Sequence, residues 1–252
     1  MVRQRFDDTH LKDVARAVHE QITRPEIAAR VHSGMRIAIG AGSRGIANIG
    51  IAVRATVQAL RELGAKPFVF PAMGSHGGAT AEGQQAVLAG YGITEEDVGV
   101  PIRATMDTAL IGKMEDGTPV HMDRYAHEAD GVVLINRIKP HTSFRGPIES
   151  GLVKMMAIGM GKIQGATYLH AHGMDVFPEV LPRVATFIME QTSILFGIGM
   201  IENAYDQTAI VEALLSDTLV EREAELQAKA KSLMGRLYFC LLYTSPSPRD
   251  RG

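Results

Sequence analysis

One cysteine, Cys240, stands among 252 residues, which excludes an internal disulfide framework and any cluster held by about four thiolates. No C-x-x-C and no H-E-x-x-H occurs, so a zinc site built by the protein alone is not indicated. No apolar run approaches the ~20 residues that a membrane helix requires, and the opening MVRQRFDDTHLKD has no apolar leader core. The expectation is a cytoplasmic chain with no membrane partner. A large charge of one sign is missing too: the formal balance is −2, which gives no electrostatic reason to expect nucleic acid. No repeat, low-complexity tract or internal linker divides the chain.

What is present is ordinary for a globular protein: 46% hydrophobic and 21% charged residues, with 26 Gly and 11 Pro. The last residues are the exception. Cys240–Asp250 (CLLYTSPSPRD) follow a charged helical run abruptly and read as the translation of a transposase-type sequencing adapter. Residues 240–252 are therefore set aside from fold reasoning, and 1–239 are taken as one α/β domain. This reading implies that the natural protein continues past about Phe239. The nucleotide sequence encoding Cys240–Asp250 decides it, with adapter sequence the expected result.

Residues Asp7–Ala29 read as helical, with apolar or small positions at Leu11, Val14, Ala15 and Val18. Met35–Gly40 is a strand, followed by the glycine-rich turn 41–45 and an amphipathic helix Ile49–Leu63 that stops at Gly64. Lys66–Phe70 is a second strand, followed by the turn 73–80 and a helix from Ala81 to about Ala89. Ala109–Met114 and Thr118–Met122 flank Glu115-Asp116-Gly117 as a β-hairpin insertion. Val132–Ile135 and Ile194–Ile201 are further strands, with another at Ala209–Leu215. Helices are expected near Pro178–Gln191 and over Asp217–Leu237. Strand, glycine loop and helix thus recur, which predicts a mostly parallel sheet flanked by helices.

The chemistry concentrates in three loops at strand ends. The first, Gly42-Ser43-Arg44-Gly45, offers a hydroxyl, a guanidinium and open backbone before a helix, a combination that suits phosphate or carboxylate; the alternative is a tight turn with a surface arginine. The second places Ser75 and His76 among glycines. An imidazole there is either a general base or simply solvated.

The third is Asn136–Lys162, with Lys139, His141 and Arg145 in a polar loop and Lys154 in a Met-rich helical segment. Arg145 can pair with a carboxylate. Lys154 among Leu152, Val153, Met155 and Met156 is either a partly desolvated nucleophile or a snorkelling lysine. His170 and His172 lie two apart, a spacing that puts both on one side only in a strand; they are either structural or metal ligands. Arg44, His76, His141 and Lys154 would converge at the strand ends, a set suited to acid/base work on a small anionic substrate.

At these residues the chain resembles the N-terminal domain of the nickel-pincer lactate racemase family. Ser43-Arg44, Gly74-Ser75-His76 and Pro140-His141 match that family's Thr-Arg, Gly-Thr-His and Pro-His motifs in order. Ser150-Gly151-Leu152-Val153-Lys154 and Ile158-Gly159 match its Ser-Gly-Gly-x-Lys and Pro-Gly. The resemblance covers most of residues 1–239. It implies a racemase or epimerase of lactate or a related 2-hydroxy acid, using a nickel pincer nucleotide tethered to Lys154. His76 and His141 would be alternate bases, while Ser43, Arg44 and Ser75 would contact the cofactor. Arg44 and Arg145 would hold the substrate carboxylate, and His170 would bind nickel, with His172 the runner-up. The cofactor accepts and returns hydride; the two histidines move the hydroxyl proton.

The implied partners are the small anionic substrate and the cofactor-making enzymes. Three departures surround the substrate: Ala41-Gly42 replace an acidic residue, the His141–Lys154 loop is longer, and Leu152 replaces a glycine. The family's second α/β domain is expected to lie beyond this chain. The competing readings are a one-way 2-hydroxy-acid oxidoreductase with the same cofactor, and a nucleotide- or phosphate-binding module.

Overall fold

The computed structural model describes residues 4–43 and 45–235. Where one helix is expected over 7–29, two form. α1 (Val14–Ile22) begins where the Asp13 side chain accepts the Arg16 N–H, which makes Asp13 a cap and not an interior residue. α2 (Pro25–Ala28) begins at a proline, whose missing N–H and ring are tolerated only in a first turn, so α1 has to stop before it. The residues ahead of Asp13 attach instead to the far edge of the sheet, where Leu11 N–H donates to Thr208 O at 2.8 Å.

The remaining expected elements are found with ends that agree or shift by at most two residues, except the last helix, expected to Leu237 and ending at Leu233, with 236–237 outside the described residues. In chain order the structure has β1 (Arg36–Ala41), α3 (Ile49–Glu62), β2 (Lys66–Pro71) and α4 (Ala81–Gly90), then the unexpected one-turn α5 (Glu95–Val98). The hairpin follows as β3 (Thr108–Lys113) and β4 (Pro119–Asp123), with the one-turn α6 (Arg124–His127) after it. Next come β5 (Gly131–Arg137), α7 (Leu152–Lys154), a π-helical turn Met155–Gly159 and α8 (Lys162–Ala171). The described chain finishes with α9 (Phe177–Gln191), β6 (Ile194–Glu202), β7 (Thr208–Leu215) and α10 (Leu219–Leu233). α5 and α6 are too short to show a hydrophobic period, which is why composition does not reveal them.

The main sheet has the order β2-β1-β5-β6-β7. Its first four strands are parallel, and β7 returns antiparallel to β6 after a short turn. β1 and β5 are almost wholly buried along their length, as expected for parallel strands covered on both faces. Ile37, Ile39, Val133 and Ile135 face α1 and α3, while Ala38, Val132 and Leu134 face α7 to α10. The β3–β4 hairpin forms a separate two-stranded sheet.

The connection β1–α3–β2 runs to one side of β1, and the chain then comes back to pair β5 on the other. The crevice between the C-terminal ends of β1 and β5 is therefore a topological switch point, where open α/β sheets bind ligands.

Leu134→Ala, in the middle of β5 with 0% exposure, is expected to cost about 2–5 kcal/mol in a denaturant titration. Leu110→Ala, 53% exposed on the hairpin, is expected to change stability by no more than ~0.5 kcal/mol.

Candidate active site

The loop after β1 is packed against the loop after β5. A Cβ on Gly42 would overlap Asn136 Oδ1, so only glycine lets β1 turn this close to β5. The same Asn136 donates from Nδ2 to Gly151 O at 2.7 Å, linking the first loop to the start of α7. The Ser43 hydroxyl bonds His76 Nδ1 across from the second loop. Tyr91 OH donates to Ser43 O at 2.9 Å and accepts the Gly45 N–H at 3.3 Å. Arg137 donates to Gly45 O at 2.7 Å and pairs with buried Glu202, which also accepts the Ala47 N–H at 2.8 Å. Burial pushes the Glu202 carboxyl up. Both neighbours of Arg44 are thus anchored; Arg44 itself lies outside the described residues.

The second loop is held from beneath. Gln84, fully buried on α4, donates to Gly74 O at 2.8 Å and His76 O at 3.3 Å. Its Oε1 accepts from Lys162 Nζ at 3.0 Å. Lys162 has 0% exposure; it also donates to Pro71 O and stands 2.9 Å from Asp123 Oδ2 as an ion pair without an aligned hydrogen bond. Burial pushes the Asp123 carboxyl up and the Lys162 amine down, against their mutual attraction. On the loop itself Thr80 caps α4 by accepting the Gly83 N–H, as its position before that helix suggests. Ser75 is exposed, His76 is half-buried, and Gly74 N–H donates to Gly159 O at 2.9 Å, tying this loop to the turn that follows Lys154.

The third loop places two of the remaining candidates, His141 and Lys154, on one aromatic ring. His141 lies against Phe144 with ring centroids 4.5 Å apart, and Lys154 Nζ stands 5.7 Å from the Phe144 centroid. Phe144 meets Phe177 edge-on at 5.5 Å, and Phe177 meets His170 edge-on at 5.2 Å. His141, Lys154 and His170 are thus connected through two phenylalanines that the sequence reading passed over. Ser143 N–H donates to His141 Nδ1 at 3.1 Å, which assigns the neutral ring's proton to Nε2. Arg145, exposed, donates to His141 O and to Phe144 O, the latter at 3.0 Å, so its guanidinium braces the loop it belongs to.

Buried Glu149 accepts the N–H groups of His141 (2.8 Å) and Gly146 (3.1 Å). Burial pushes its carboxyl up, but Lys231 and these two donors outweigh that and hold it below the usual carboxylate range.

His170 closes α8 and His172 is its C-cap, so the helical spacing turns them apart. Each ring uses Nδ1 on the carbonyl four residues back, Ala166 O at 2.6 Å and Tyr168 O at 2.9 Å. That arrangement leaves Nε2 as the lone-pair nitrogen, as metal ligation needs. His172 stacks on Tyr168 at 4.9 Å, whereas His170 belongs to the Phe177–Phe144 train. Among the described residues no three His, Cys, Asp or Glu side chains stand close enough to hold a metal ion. A donor set of one imidazole therefore fits only a metal whose other ligands arrive with a bound group.

This geometry defines an open α/β domain in which three loops meet at a switch point. Residues 4–178 match the family described as the lactate racemase N-terminal domain, and the chain belongs to that family. No curated protein matches the sequence. Among solved structures, the lactate racemase apoprotein from Thermoanaerobacterium thermosaccharolyticum superposes with a TM-score of 0.62 at 16% identity, over 88% of this chain and 55% of that one. A Thermotoga maritima protein superposes with a TM-score of 0.66 at 14% identity, over 91% of this chain and 62% of that one. At such identities the likeness is one of fold, and the chain spans little more than half the length of either structure. No helix among the described residues is long and apolar enough to cross a membrane.

The supports that motif reading missed are Lys162, Asp123, Gln84, Glu149 and Phe144; none carries a spacing signal, because each acts across the fold. Lys162→Met is expected to lower stability by about 3–5 kcal/mol, since Asp123 is left buried without its cation. Adding Asp123→Leu is expected to recover much of that loss, and a double-mutant cycle in urea measures it.

Proposed function

We propose that the chain forms the N-terminal half of a racemase or epimerase of a small 2-hydroxy acid, lactate or a relative, dependent on a nickel pincer nucleotide attached to Lys154. The observation that carries this reading is the grouping of His141 and Lys154 on Phe144, extended by Phe177 to His170. It is supported by membership of the lactate racemase N-terminal domain family. When bound, the nucleotide supplies the group that accepts and returns the substrate hydride.

The chain's own residues then have separable tasks. His141 and His76 are assigned as the alternating acid/base pair, with His141 Nδ1 accepting the Ser143 N–H and His76 Nδ1 held by the Ser43 hydroxyl, so that Nε2 is the exchanging nitrogen of each ring. Two imidazoles on different loops suit a reaction that runs in both stereochemical senses. Arg44, on a turn braced by Tyr91 and Arg137, is assigned to the cofactor phosphate or the substrate carboxylate, together with Ser43 and Ser75 on the cofactor side. Arg145 is assigned to the substrate as well, from a loop whose backbone it already braces. Of the two C-terminal α8 histidines, His170 is preferred for nickel because it alone shares the aromatic train with Lys154. The cofactor-making enzymes are the proposed partners.

The full-length protein, produced together with those enzymes, is expected to carry a mass adduct that maps to Lys154 and to contain nickel. It is expected to racemise at least one acid from a panel of chiral 2-hydroxy acids, and Lys154→Ala should abolish adduct and activity together. Oxidation of one enantiomer without formation of the other would favour the one-way oxidoreductase. Full activity in Lys154→Ala would refute the tether.

A further inference from the structure

Helix α10 lies far along the chain from the loops, yet it grips the segment between His141 and Lys154. Three side chains four residues apart, Glu223, Gln227 and Lys231, lie on one helix face and meet residues 149–153. Fully buried Glu223 accepts the N–H groups of Leu152 (2.9 Å) and Val153 (3.0 Å). Fully buried Gln227 accepts those of Glu149 (3.3 Å) and Ser150 (3.5 Å). Lys231 pairs with Glu149 at 2.7 Å and donates to Gly146 O at 2.9 Å, and Glu149 in turn accepts the His141 N–H.

The first N–H groups of a helix have no partner within it, and the residue capping α7 is Gly151, which has no side chain to offer. Glu223 supplies that acceptor from another helix. It also requires the glycine, because a Cβ on Gly151 would overlap Glu223 Oε1. Glu223 Oε1 and Gln227 Nε2 are buried without hydrogen-bond partners among the described residues. A helix serving only to cover the sheet would fill these positions more favourably with apolar side chains.

We propose that α10 is the template that sets the spacing of His141 and Lys154, with Glu223 the positioning residue for Lys154 and the Lys231–Glu149 pair the positioning element for His141. The functional meaning rests on the reading of these two residues as base and tether. The template itself does not.

Burial pushes the Glu223 carboxyl up to about 8, so at neutral pH Gln copies its charge as well as its shape, while Leu keeps the volume and removes the acceptor. Amide hydrogen exchange is followed residue by residue, together with the acetylation rate of Lys154, in the chain as it stands. Glu223→Leu is expected to speed exchange at Leu152 and Val153 about tenfold and to change Lys154 acetylation severalfold, while Glu223→Gln stays within about twofold of the parent.

Lys231→Met, at the solvent rim, is expected to speed exchange at His141 and Gly146 and leave Leu152 and Val153 alone. It decides the matter on its own if Glu223→Leu does not fold. Unchanged exchange in Glu223→Leu, a Glu223→Gln that behaves like Glu223→Leu, or a Lys231→Met without a local effect would each overturn the proposal. Absence of a Lys154 adduct in the full-length protein would sink the tether reading and leave these amide results standing. Unchanged amides would sink the template even where the adduct is present.

Discussion

A single buried amine governs how the second loop meets the rest of the site. Lys162 sits inside the apolar cluster beneath the loops and has to be satisfied there, because an unpaired ammonium in such surroundings costs several kcal/mol. Its three partners come from three places: the Asp123 carboxylate at the end of the hairpin, as an ion pair, and two acceptors, Pro71 O at the end of β2 and Gln84 Oε1 on α4. Satisfying one charge therefore locks the hairpin, the sheet and α4 to the start of α8. Gln84 carries the constraint upward to the carbonyls of Gly74 and His76. The place of the His76 loop follows from an ion that never reaches the surface.

The other two loops are governed in the same way, by side chains that take hold of backbone. Glu202 accepts from Ala47 beside the first loop, Glu149 from His141 and Gly146, and Glu223 from the first turn of α7. Loops cannot bury their own N–H groups at no cost, so each group needs an acceptor brought from elsewhere. Glu202 supplies it from the end of β6 and Glu223 from α10, while Glu149 supplies it from within the third loop and is itself paired with Lys231 of α10. The main chain at or beside the three candidate residues is held in this way: Gln84 on the Gly74 and His76 carbonyls, Glu149 on the His141 N–H, and Glu223 on the two residues before Lys154.

This division is consistent with a fold shared with solved structures at 14–16% identity. The parallel sheet asks only for apolar residues of suitable volume on two faces, a demand many sequences meet. The loops ask for particular groups at particular places: a glycine at 42 beneath Asn136 and a glycine at 151 against Glu223. Leu152, where the resembling family has a second glycine, is fully buried as the first residue of α7 and packs into the space left by Gly197. That departure is absorbed by the core.

Local pattern was enough for the strands, the hairpin, the alternation of glycine loop and helix, and the three stretches that carry Ser43, His76, and His141 with Lys154. Apolar runs, turn residues and short motifs are written in neighbouring positions, and strand-end geometry follows from any parallel sheet. Local pattern went wrong at Asp13 and Pro25, where capping and a missing N–H overrode a helical period, and it was silent on the one-turn helices α5 and α6. By itself the sequence determined which residue types could do chemistry and that they would stand at strand ends. The tertiary structure alone decided that Phe144 joins His141 to Lys154, that His170 and not His172 shares their company, and that Lys162, Glu149 and Glu223 hold the loops. These contacts join residues far apart in the chain, and burial, which sets the worth of each charge, exists only once the chain has folded.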